Sequence, residues 1–369
     1  MHYKITHLTS AHPRYDTRIF VKECSSLAKK YQVNLVVADG LGDEEKNGVT
    51  IYDMGKVSGR VNRIFSTTKR VLQKAIELDS DVYHMHDSEL IPVGLKLKKL
   101  GKKVIFDSHE DVPKELLGKP YLNPLMLKII SKFFAFYEKI NLKKFDYIVT
   151  ATPTLQEKFL KINPNVVAIN NFPIIEELQS RLPWEERENS VCYVGAISIS
   201  RGVRESVQAL KYYPKVKLNL GGKFPQPSLQ EEVMAYESWK NVNFLGYLNR
   251  NEVASVLSRS KAGLVTLHNM PNYKDALPVK MFEYMAAALP VISSNNKLWK
   301  SIIDKHHCGI CVDPMNPKEI AGAIQYIIEN PKEAQKMGEN GKKAVSETYN
   351  WGREEEKLFV LYQGMVNEI

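Results

Sequence analysis

The segment DALPVKMFEYMAAALPVI, residues 275–292, has the pattern of a helix that leads directly into a short apolar strand. Pro278 suits the first turn of a helix, and apolar residues follow it at helical spacing. The start of such a helix offers free N–H groups and a positive dipole end, which bind anions. Lys280 lies in this first turn, where the dipole disfavours a cation unless an anion is near. Glu283, one turn on, offers two acceptor oxygens to a pair of hydroxyls, although an ordinary surface helix with a Lys–Glu pair explains the same charges.

The same alternation of apolar strands and amphipathic helices runs through the whole chain. β-Branched runs such as residues 33–38 and 104–107 are separated by helical periodicity, which predicts parallel sheets covered by helices on both faces. A polar stretch with turn residues and proline, residues 169–187, separates two such series. We therefore predict an α/β protein with two Rossmann-like, doubly wound domains at 1–168 and 188–350, joined by this linker and facing each other across a cleft.

The composition excludes several classes of protein. Of the 369 residues, 44% are hydrophobic and 25% are charged, which is typical of a globular protein and not of a disordered or fibrous one. No apolar run approaches the roughly 20 residues of a membrane-spanning helix, and the first residues show no signal-peptide core. We therefore expect a cytoplasmic protein. No G-x-G-x-x-G motif follows a predicted strand, which argues against a dinucleotide-dependent dehydrogenase.

Positive charge is concentrated in the first half of the chain. Residues 1–170 contain 27 Lys and Arg against 19 Asp and Glu, whereas residues 171–369 contain 24 against 23. Part of this charge lies on predicted amphipathic helices at Arg60–Leu78 and Leu125–Ile140, which could dock on an anionic membrane at its inner face. Alternatively, both helices cover the sheet and leave their charges in solvent. Exposed aromatics and a nucleic-acid motif are missing from the basic stretches, so nucleic acid is not an expected partner.

The runs PVKMFEYMA and LPVI, residues 278–286 and 289–292, resemble the signature of family 4 glycosyltransferases, which have the GT-B fold. This resemblance implies that Glu283 holds the ribose of a nucleotide-sugar donor. Many members carry a second acidic residue eight positions earlier, near the donor sugar, and Asp275 stands at that position. The resemblance covers nearly the whole chain, and it implies that a last helix, at about 351–369, packs back on the first domain.

A second match lies at the first strand of the second domain. Residues 193–202, YVGAISISRG, resemble the phosphate-binding element of the family, with Arg201 where lysine is usual and Ala196 where arginine is usual. Residues 218–222 resemble the strand–glycine step beside the donor, and residues 242–248 resemble the loop that faces the nucleobase. The donor-binding residues predicted from these matches are Arg201, Lys280, Glu283, Gly195, Gly222 and Tyr247.

The first domain offers polar residues at the carboxyl ends of its strands, where chemistry collects in such folds. His109 follows a buried strand, and the resemblance implies that a histidine there approaches a hydroxyl of the transferred sugar. Asp16 and Arg18 lie in the loop after the first strand, a variant associated with members that build bacterial surface polysaccharides. Asp16 either caps the next helix or orients and deprotonates the acceptor hydroxyl. The predicted catalytic residues are His109, Asp275 and Asp16, and the predicted acceptor contacts are Arg18 and Glu110.

Together these matches imply a glycosyltransferase that retains anomeric configuration. The expected donor is a nucleotide-diphosphate sugar, with UDP as the expected nucleotide, and the expected acceptor is a glycan or lipid-linked saccharide of cell-surface polysaccharide synthesis. No cofactor or metal is expected, because the D-x-D triplet at residues 79–81 precedes a strand and indicates a turn. An epimerase of the same fold is the alternative, since it shares the donor site and needs no acceptor.

Overall fold

The chain divides into two units, each formed by a sheet and the helices that cover it. The computed structural model describes residues 3–59, 62–118, 123–178 and 182–367. The first unit comprises Met1–Asn171 and Gly352–Ile369, and the second comprises Phe172–Trp351. The predicted linker is therefore not a free segment, because Phe172 and Leu178 lie in the core of the second unit.

The first unit contains an 8-stranded sheet. Its strands are β1 (Lys4–Leu8), β2 (Gln32–Val37), β3 (Glu44–Lys46), β4 (Val49–Asp53), β5 (Val82–Met85), β6 (Lys103–Ser108), β7 (Tyr147–Thr150) and β8 (Val166–Ala168). They are ordered β3-β4-β2-β1-β5-β6-β7-β8, and all neighbours are parallel except β3 and β4. The order reverses between β1 and β5, which is the switch point at which doubly wound folds bind ligands.

The first helix of this unit is of the π type and spans Thr17–Cys24. Asp16 caps it by accepting hydrogen bonds from the backbone N–H groups of Arg18 and Ile19, at 2.8 and 3.0 Å. The N–H of Val21 donates to the carbonyl of Asp16, five residues back, which is the π pattern. The α-helices of the unit are α1 (Ser25–Leu27), α2 (Thr68–Leu78), α3 (Ile91–Lys99), α4 (Val112–Leu117), α5 (Pro124–Leu142), α6 (Pro153–Leu160) and, at the end of the chain, Trp351–Val366.

Two sequence predictions concern the elements around α2. The predicted helix Arg60–Leu78 begins in residues 60–61, which lie outside the described residues, and the described part contains a π-type turn, Arg63–Thr67, before α2. Asp79 ends α2 in the left-handed conformation, with φ 46°. The D-x-D triplet is therefore a helix stop and turn, as predicted.

The second unit contains a 6-stranded sheet, which is parallel throughout. Its strands are β9 (Ser190–Val194), β10 (Lys217–Gly221), β11 (Val242–Gly246), β12 (Ala262–Val265), β13 (Val291–Ser294) and β14 (Gly309–Val312). Their order is β11-β10-β9-β12-β13-β14, so the switch point lies between β9 and β12. The α-helices are α7 (Val203–Ala209), α8 (Pro227–Met234), α9 (Arg250–Arg259), α10 (Val279–Ala286), α11 (Lys297–His306), α12 (Pro317–Glu329) and α13 (Pro331–Glu347). Both units are doubly wound, which confirms the predicted fold class.

Helix α10 is fixed to the sheet by the aromatic ring of Tyr284. This ring lies against Gly263 on β12, where an added Cβ would overlap it. The Tyr284 hydroxyl accepts a hydrogen bond of 3.0 Å from the backbone N–H of Val194, at the end of β9. Every residue of α10 from Lys280 to Ala286 is buried. The start of α10 is thereby held at the switch point of the second sheet.

Replacing Gly263 with alanine should destabilise the chain, because the new methyl group must displace the Tyr284 ring. We expect a loss of about 1–3 kcal/mol in the free energy of unfolding, measured by denaturant titration. Gly322→Ala in α12 is the matched control, since its Cβ would meet open space and alanine favours a helix by about 0.5–1 kcal/mol. Equal stability of the two variants would contradict the proposed fixing of α10.

Candidate active site

Two glycines bring the backbones of neighbouring loops together at the switch point of the second unit. Gly195 follows β9 with φ 125°, and Gly222 follows β10 with φ 152°. A Cβ at Gly222 would overlap the carbonyl of Gly195. A Cβ at Gly195 would meet only the side chain of Lys280, with its Cε at 4.0 Å. The space in front of Gly195 is therefore open, and Lys280 borders it.

Lys280 is a buried cation without a counter-ion. Its side chain is 8% exposed, and Nζ lies 3.4 Å from the centroid of the Tyr193 ring. Nζ has no hydrogen-bond partner among the described residues. Burial, and then the positive charge of Arg201, lower the pKa of Lys280 to about 7. Two neighbouring cations, one of them buried, favour the binding of an anion.

The N-terminus of α10 adds to this positive potential. The helix begins after Pro278, and no side chain caps it. Its first turn holds no acidic residue. The free N–H groups and the dipole of the helix therefore favour negative charge at the place where Lys280 begins its side chain.

Arg201 is held by a short 3-10 turn, Ile199–Arg201, that ends at Gly202. Gly202 has φ 74°, and a Cβ there would overlap the carbonyl of Thr266 at the end of β12. The N–H of His268 donates a hydrogen bond of 2.9 Å to the carbonyl of Ser200. The turn that carries Arg201 is thus packed on the loop that follows β12.

Glu283 forms an ion pair that the sequence analysis did not predict. Arg250, the first residue of α9, donates a hydrogen bond of 2.7 Å from Nη1 to Oε1 of Glu283. Its Nε donates to Glu177 at 3.0 Å. Arg250 thereby fixes the orientation of the Glu283 carboxylate through Oε1.

Asp275 and Tyr247 lie on loops of the same unit. Asp275 is half-buried in the turn at residues 271–275. The Asn296 side chain donates to the backbone carbonyls of this turn, and Trp299 Nε1 donates to the carbonyl of Ala276 at 2.7 Å. Tyr247 follows β11 with its ring 70% exposed and Lys223 Nζ at 4.8 Å from the centroid. The Tyr247 ring is therefore available for stacking.

In the first unit, His109 belongs to a polar cluster centred on a buried carboxylate. His109 Nε2 lies 3.0 Å from Oδ2 of Asp107, the penultimate residue of β6. His86 Nδ1 lies 3.2 Å from the same oxygen and 3.3 Å from His109 Nε2. Asp107 is fully buried, and its pKa is held well below the ordinary value because the charge of Arg18, followed by that of His109, outweighs the effect of burial. His109 is partly exposed, so the cluster reaches the surface through its ring.

A second histidine–carboxylate pair lies beside His109. His12 Nδ1 is 3.1 Å from Oδ1 of Asp87, and the His12 and His109 rings are 5.0 Å apart. Burial lowers the pKa of His12, but the hydrogen bond and charge of Asp87 exceed this effect and raise it overall. Asp87 is held by the Thr9 hydroxyl at 2.8 Å and the Ser10 N–H at 2.6 Å. The loop after β1 therefore presents a histidine with a raised pKa next to His109.

Arg18 has a different environment from the one that the sequence analysis expected. Its guanidinium is buried, and Nε and Nη2 each donate to Asp107 at 2.8 Å. Nη1 donates to the carbonyl of Ile169 at 2.7 Å. These bonds make Arg18 a support for Asp107, whereas the sequence predicts an acceptor contact. Asp16 caps the π-type helix, and Glu110 is exposed beside His109.

Comparisons with known proteins identify a matching family, a similar sequence and a similar structure. Residues 174–344 match the family model described as glycosyl transferases group 1. An uncharacterised glycosyltransferase of Methanocaldococcus jannaschii is 23% identical over 339 residues, which cover 84% of this chain and 83% of that protein. Sucrose-phosphate synthase from Thermosynechococcus elongatus superposes with a TM-score of 0.80 at 18% identity, over 100% of both chains. The chain is a GT-B glycosyltransferase.

A structure of Anabaena HepE solved with UDP and glucose is also similar to this glycosyltransferase, with a TM-score of 0.75 at 15% identity. It covers 98% of this chain and 100% of its own. At this identity the likeness shows the fold alone. The finer assignment to family 4 stays a prediction.

The glycosyltransferase brings four of the six predicted donor residues to one place. Lys280 meets the backbone of Gly195, Gly222 packs on Gly195, and Arg201 lies close enough to Lys280 to lower its pKa. Glu283 follows Lys280 by one turn on α10. Tyr247 is placed one loop away, since the Gly222 N–H donates to the carbonyl of Gly246 at 2.7 Å.

The sequence analysis of the glycosyltransferase missed Arg250, Asp107 and His12. Arg250 stands between Asn249 and Glu252, which form a capping box, and this motif predicts only the start of a helix. Asp107 is a charged residue within an apolar strand. Because charges are rarely buried without partners, this position could have indicated a polar site. His12 lies in the same loop as Asp16 and carries no periodic signal.

Replacing Lys280 with methionine should raise the free energy of unfolding of the ligand-free enzyme, by at least about 1 kcal/mol, because an unpaired buried cation is removed. The native pKa of about 7 lies below the unfolded value of 10.5, so the wild-type penalty is full below pH 7. The advantage of the variant should shrink as pH rises towards 10.5, where lysine is neutral in both states. Denaturant titrations at about pH 7 and about pH 10 measure this difference.

Lys342→Met, at an exposed position of α13, is the control and should change stability little at either pH. A Lys280→Met variant that is less stable than wild type at neutral pH would contradict the assignment of an uncompensated charge.

Proposed function

We propose that this glycosyltransferase moves a sugar from a UDP-sugar to a glycan or lipid-linked saccharide, with retention of configuration, in cell-surface polysaccharide synthesis. The observation that carries the proposal is the buried Lys280 ammonium without a counter-ion, beside Arg201 and the uncapped start of α10. A diphosphate is the anion that a glycosyltransferase binds at such a place. The uridine base is supported by the similar Anabaena protein, which was solved with UDP.

The donor would be held by residues of the second unit alone. The backbone at Gly195 and Gly222 would lie against the diphosphate, since neither residue has a side chain in the way. Glu283, already oriented by Arg250, would accept hydrogen bonds from the two ribose hydroxyls. The exposed ring of Tyr247 would stack on the base. Asp275 would lie towards the donor sugar.

Charge stabilisation would supply most of the catalysis. When the bond between the sugar and the diphosphate breaks, negative charge develops on the departing diphosphate. Lys280, Arg201 and the N–H groups of α10 would lie where this charge appears, and little reorganisation would then be needed. Because three positive groups act on one anion, we propose that the reaction proceeds without a metal ion.

In the first unit, His109 would contact a hydroxyl of the transferred sugar. Asp107 fixes the ring of His109, and Arg18 fixes Asp107 through two parallel hydrogen bonds. His12 and Glu110 lie beside His109 and would meet the acceptor. Asp16 would act on this site through the π-type helix that it caps. The comparisons do not favour the epimerase alternative, since the matching family and relatives are transferases.

Helix α5 gives the enzyme an apolar surface that fits an anionic membrane. Its exposed apolar residues lie on one face, at spacings of three and four: Leu125, Ile129, Phe133, Phe136 and Ile140. Phe133 is 70% exposed and Phe136 is 61% exposed. The opposite face is fixed, since Ser131 donates to the carbonyl of Pro113 at 2.7 Å and Lys158 donates to Glu138 at 3.0 Å.

Lysines line this face and would meet the acidic lipid headgroups. Lys128, Lys132 and Lys139 are all exposed on α5. Each would contribute about 1 kcal/mol near an anionic surface, while the aromatic rings enter the headgroup region. None of the helices described is long and apolar enough to cross a bilayer. We therefore propose peripheral binding to the inner face of the cell membrane, next to lipid-linked acceptors.

The donor proposal is tested by the thermal stability of the enzyme with UDP, GDP, ADP and dTDP. UDP at 100 times its dissociation constant should add about 2.7 kcal/mol, seen as a higher midpoint. Glu283→Gln should weaken UDP binding about tenfold or more, because a hydrogen bond to a charged group is worth about 1.5–3 kcal/mol. Glu339→Gln, an exposed position of α13, is the control.

A shift with a different nucleotide, or unchanged UDP binding by Glu283→Gln, would contradict the assigned donor site. Retention is tested separately, by comparing the anomeric configuration of donor and product with NMR. An inverted product would overturn the proposed stereochemistry while leaving the donor site intact.

The membrane proposal is tested by flotation with phosphatidylserine vesicles and with neutral phosphatidylcholine vesicles. We expect recovery with the anionic vesicles, weakened by salt because headgroup attraction is screened. Phe133→Asp combined with Phe136→Asp should abolish it, since two carboxylates would enter the apolar face. Val360→Asp, at a site on the last helix that is 71% exposed, should float like wild type. Equal recovery with neutral vesicles would contradict the proposed lipid specificity.

A further inference from the structure

Three histidines and a glutamate meet in the interior of the first unit. His7 lies on β1, His84 on β5 and His86 directly after β5, while Glu23 lies near the end of the π-type helix. All four side chains are buried. Their nearest ligand-type atoms all lie within 4.8 Å of one another.

The fold dictates that the three imidazoles share one face of the sheet. His7 pairs directly with His84 in the parallel register of β1 and β5. His86 is two residues beyond His84, and alternate residues of a strand point to the same side. The π-type helix brings Glu23 Oε2 to 4.0 Å from His7 Nδ1 and 3.9 Å from His86 Nε2.

Three of the atoms that face the middle of this cluster lack hydrogen bonds among the described residues, whereas His7 Nδ1 and His86 Nε2 lie 2.8 Å apart, at hydrogen-bond distance from each other. Neither carboxylate oxygen of Glu23 has a hydrogen-bond partner among the described residues, and neither does Nε2 of His84. Arg18 Nε lies 3.2 Å from Oε1 of Glu23, but its hydrogen bond goes to Asp107. Leaving buried polar atoms unsatisfied costs about 1–3 kcal/mol each, so these atoms indicate a ligand.

The outer nitrogens of the same imidazoles are held in place. His84 Nδ1 lies 2.8 Å from the hydroxyl of Tyr362, on the last helix, and His86 Nδ1 lies 3.2 Å from Asp107. His7 Nε2 lies 3.4 Å from the same Tyr362 hydroxyl. Metal-binding histidines have this arrangement, in which the outer N–H is bound to oxygen and the inner lone pair faces the ion.

We propose that the first unit binds a divalent transition-metal ion, Zn²⁺, through His7 Nδ1, His84 Nε2, His86 Nε2 and the Glu23 carboxylate. Three imidazoles and one carboxylate are a donor set that suits zinc. Zinc–ligand bonds of about 2.0–2.1 Å place tetrahedral ligands about 3.3 Å apart. The distances of 2.8 Å between His7 Nδ1 and His86 Nε2, and of 3.9 and 4.0 Å to Glu23, bracket this value.

The role of this ion is structural. Four protein ligands close the coordination sphere and leave no position for a substrate. The ion would join β1, β5 and the π-type helix, and it would be taken up during folding because the ligands are buried. This site departs from the expectation that the chain holds no metal ligands. It is independent of the proposed transfer reaction and of the donor site.

The first test is the metal content of the full-length, untagged protein after dialysis, measured by mass spectrometry with inductively coupled plasma. We expect about one zinc ion per chain. Glu23→Gln and His84→Gln should lose it, because each removes one ligand. His306→Gln is the matched control, since this histidine packs on Tyr349 in the second unit and should retain the metal.

A second test does not depend on variants that disturb the core. Wild-type protein is unfolded in guanidinium with a chelator and refolded with or without Zn²⁺, and we expect a higher thermal midpoint with the ion. Refolding with Co²⁺ should produce the visible absorption of a tetrahedral site. Tyr362→Phe keeps the ring but removes the outer hydroxyl, and it should weaken zinc affinity about tenfold to a hundredfold in chelator competition.

Two results would overturn the proposal. One is a folded wild-type protein without stoichiometric metal whose midpoint is the same with and without Zn²⁺. The other is a stoichiometric ion that Glu23→Gln and His84→Gln retain in full, which would place the metal elsewhere.

Discussion

The buried carboxylate of Asp107 is the group on which the polar interior of the first unit depends. It lies at the end of β6, fully buried, and it receives two hydrogen bonds from Arg18. Because a buried charge is tolerated only with partners, the loop after β1 must deliver Arg18 to this place. The same carboxylate holds His86 and His109, at 3.2 and 3.0 Å. The charge of Asp107 therefore fixes the position of the π-type helix, through Arg18, and the orientation of His109.

The second unit depends on close backbone contact instead of on a buried ion pair. Gly202 and Gly222 each pack where a Cβ would overlap a neighbouring backbone carbonyl, that of Thr266 and that of Gly195 respectively. These contacts bring the ends of β9, β10 and β12 together at the switch point. Tyr284 completes the arrangement by fixing α10 against Gly263. The position of Lys280 thus follows from the packing of glycines and one aromatic ring, without any partner for its charge.

The sequence predicts the fold class, and the placement of Lys280 and Glu283 on one helix, better than it predicts the polar interior. Buried parallel strands are continuous apolar runs, so both doubly wound units could be recognised from the local pattern of apolar residues. Lys280 and Glu283 belong to one contiguous motif. Arg18 and Asp107 are 89 positions apart, and Arg250 and Glu283 are 33 apart. No local pattern records such pairs. The sequence predicts Arg18 as an acceptor contact from its position after the first strand, and only the tertiary structure shows that its guanidinium is buried against Asp107.

The two units treat buried charge in opposite ways, and this contrast bears on function. In the first unit, Arg18 is matched by Asp107, and Asp87 is matched by His12, so the interior is stable without a substrate. In the second unit, the ammonium of Lys280 is buried beside a further cation, with a cation–π contact to Tyr193 but no hydrogen-bond partner among the described residues, and this burial lowers its pKa. Such strain persists where a ligand relieves it. An anion that binds there offsets the free-energy cost of burying the ammonium group. If the charge of that anion grows during the reaction, it is stabilised more in the transition state than in the ground state. An uncompensated cation at a rigid site is therefore the arrangement expected for catalysis by charge stabilisation, and a matched ion pair at the same place would have favoured stability alone.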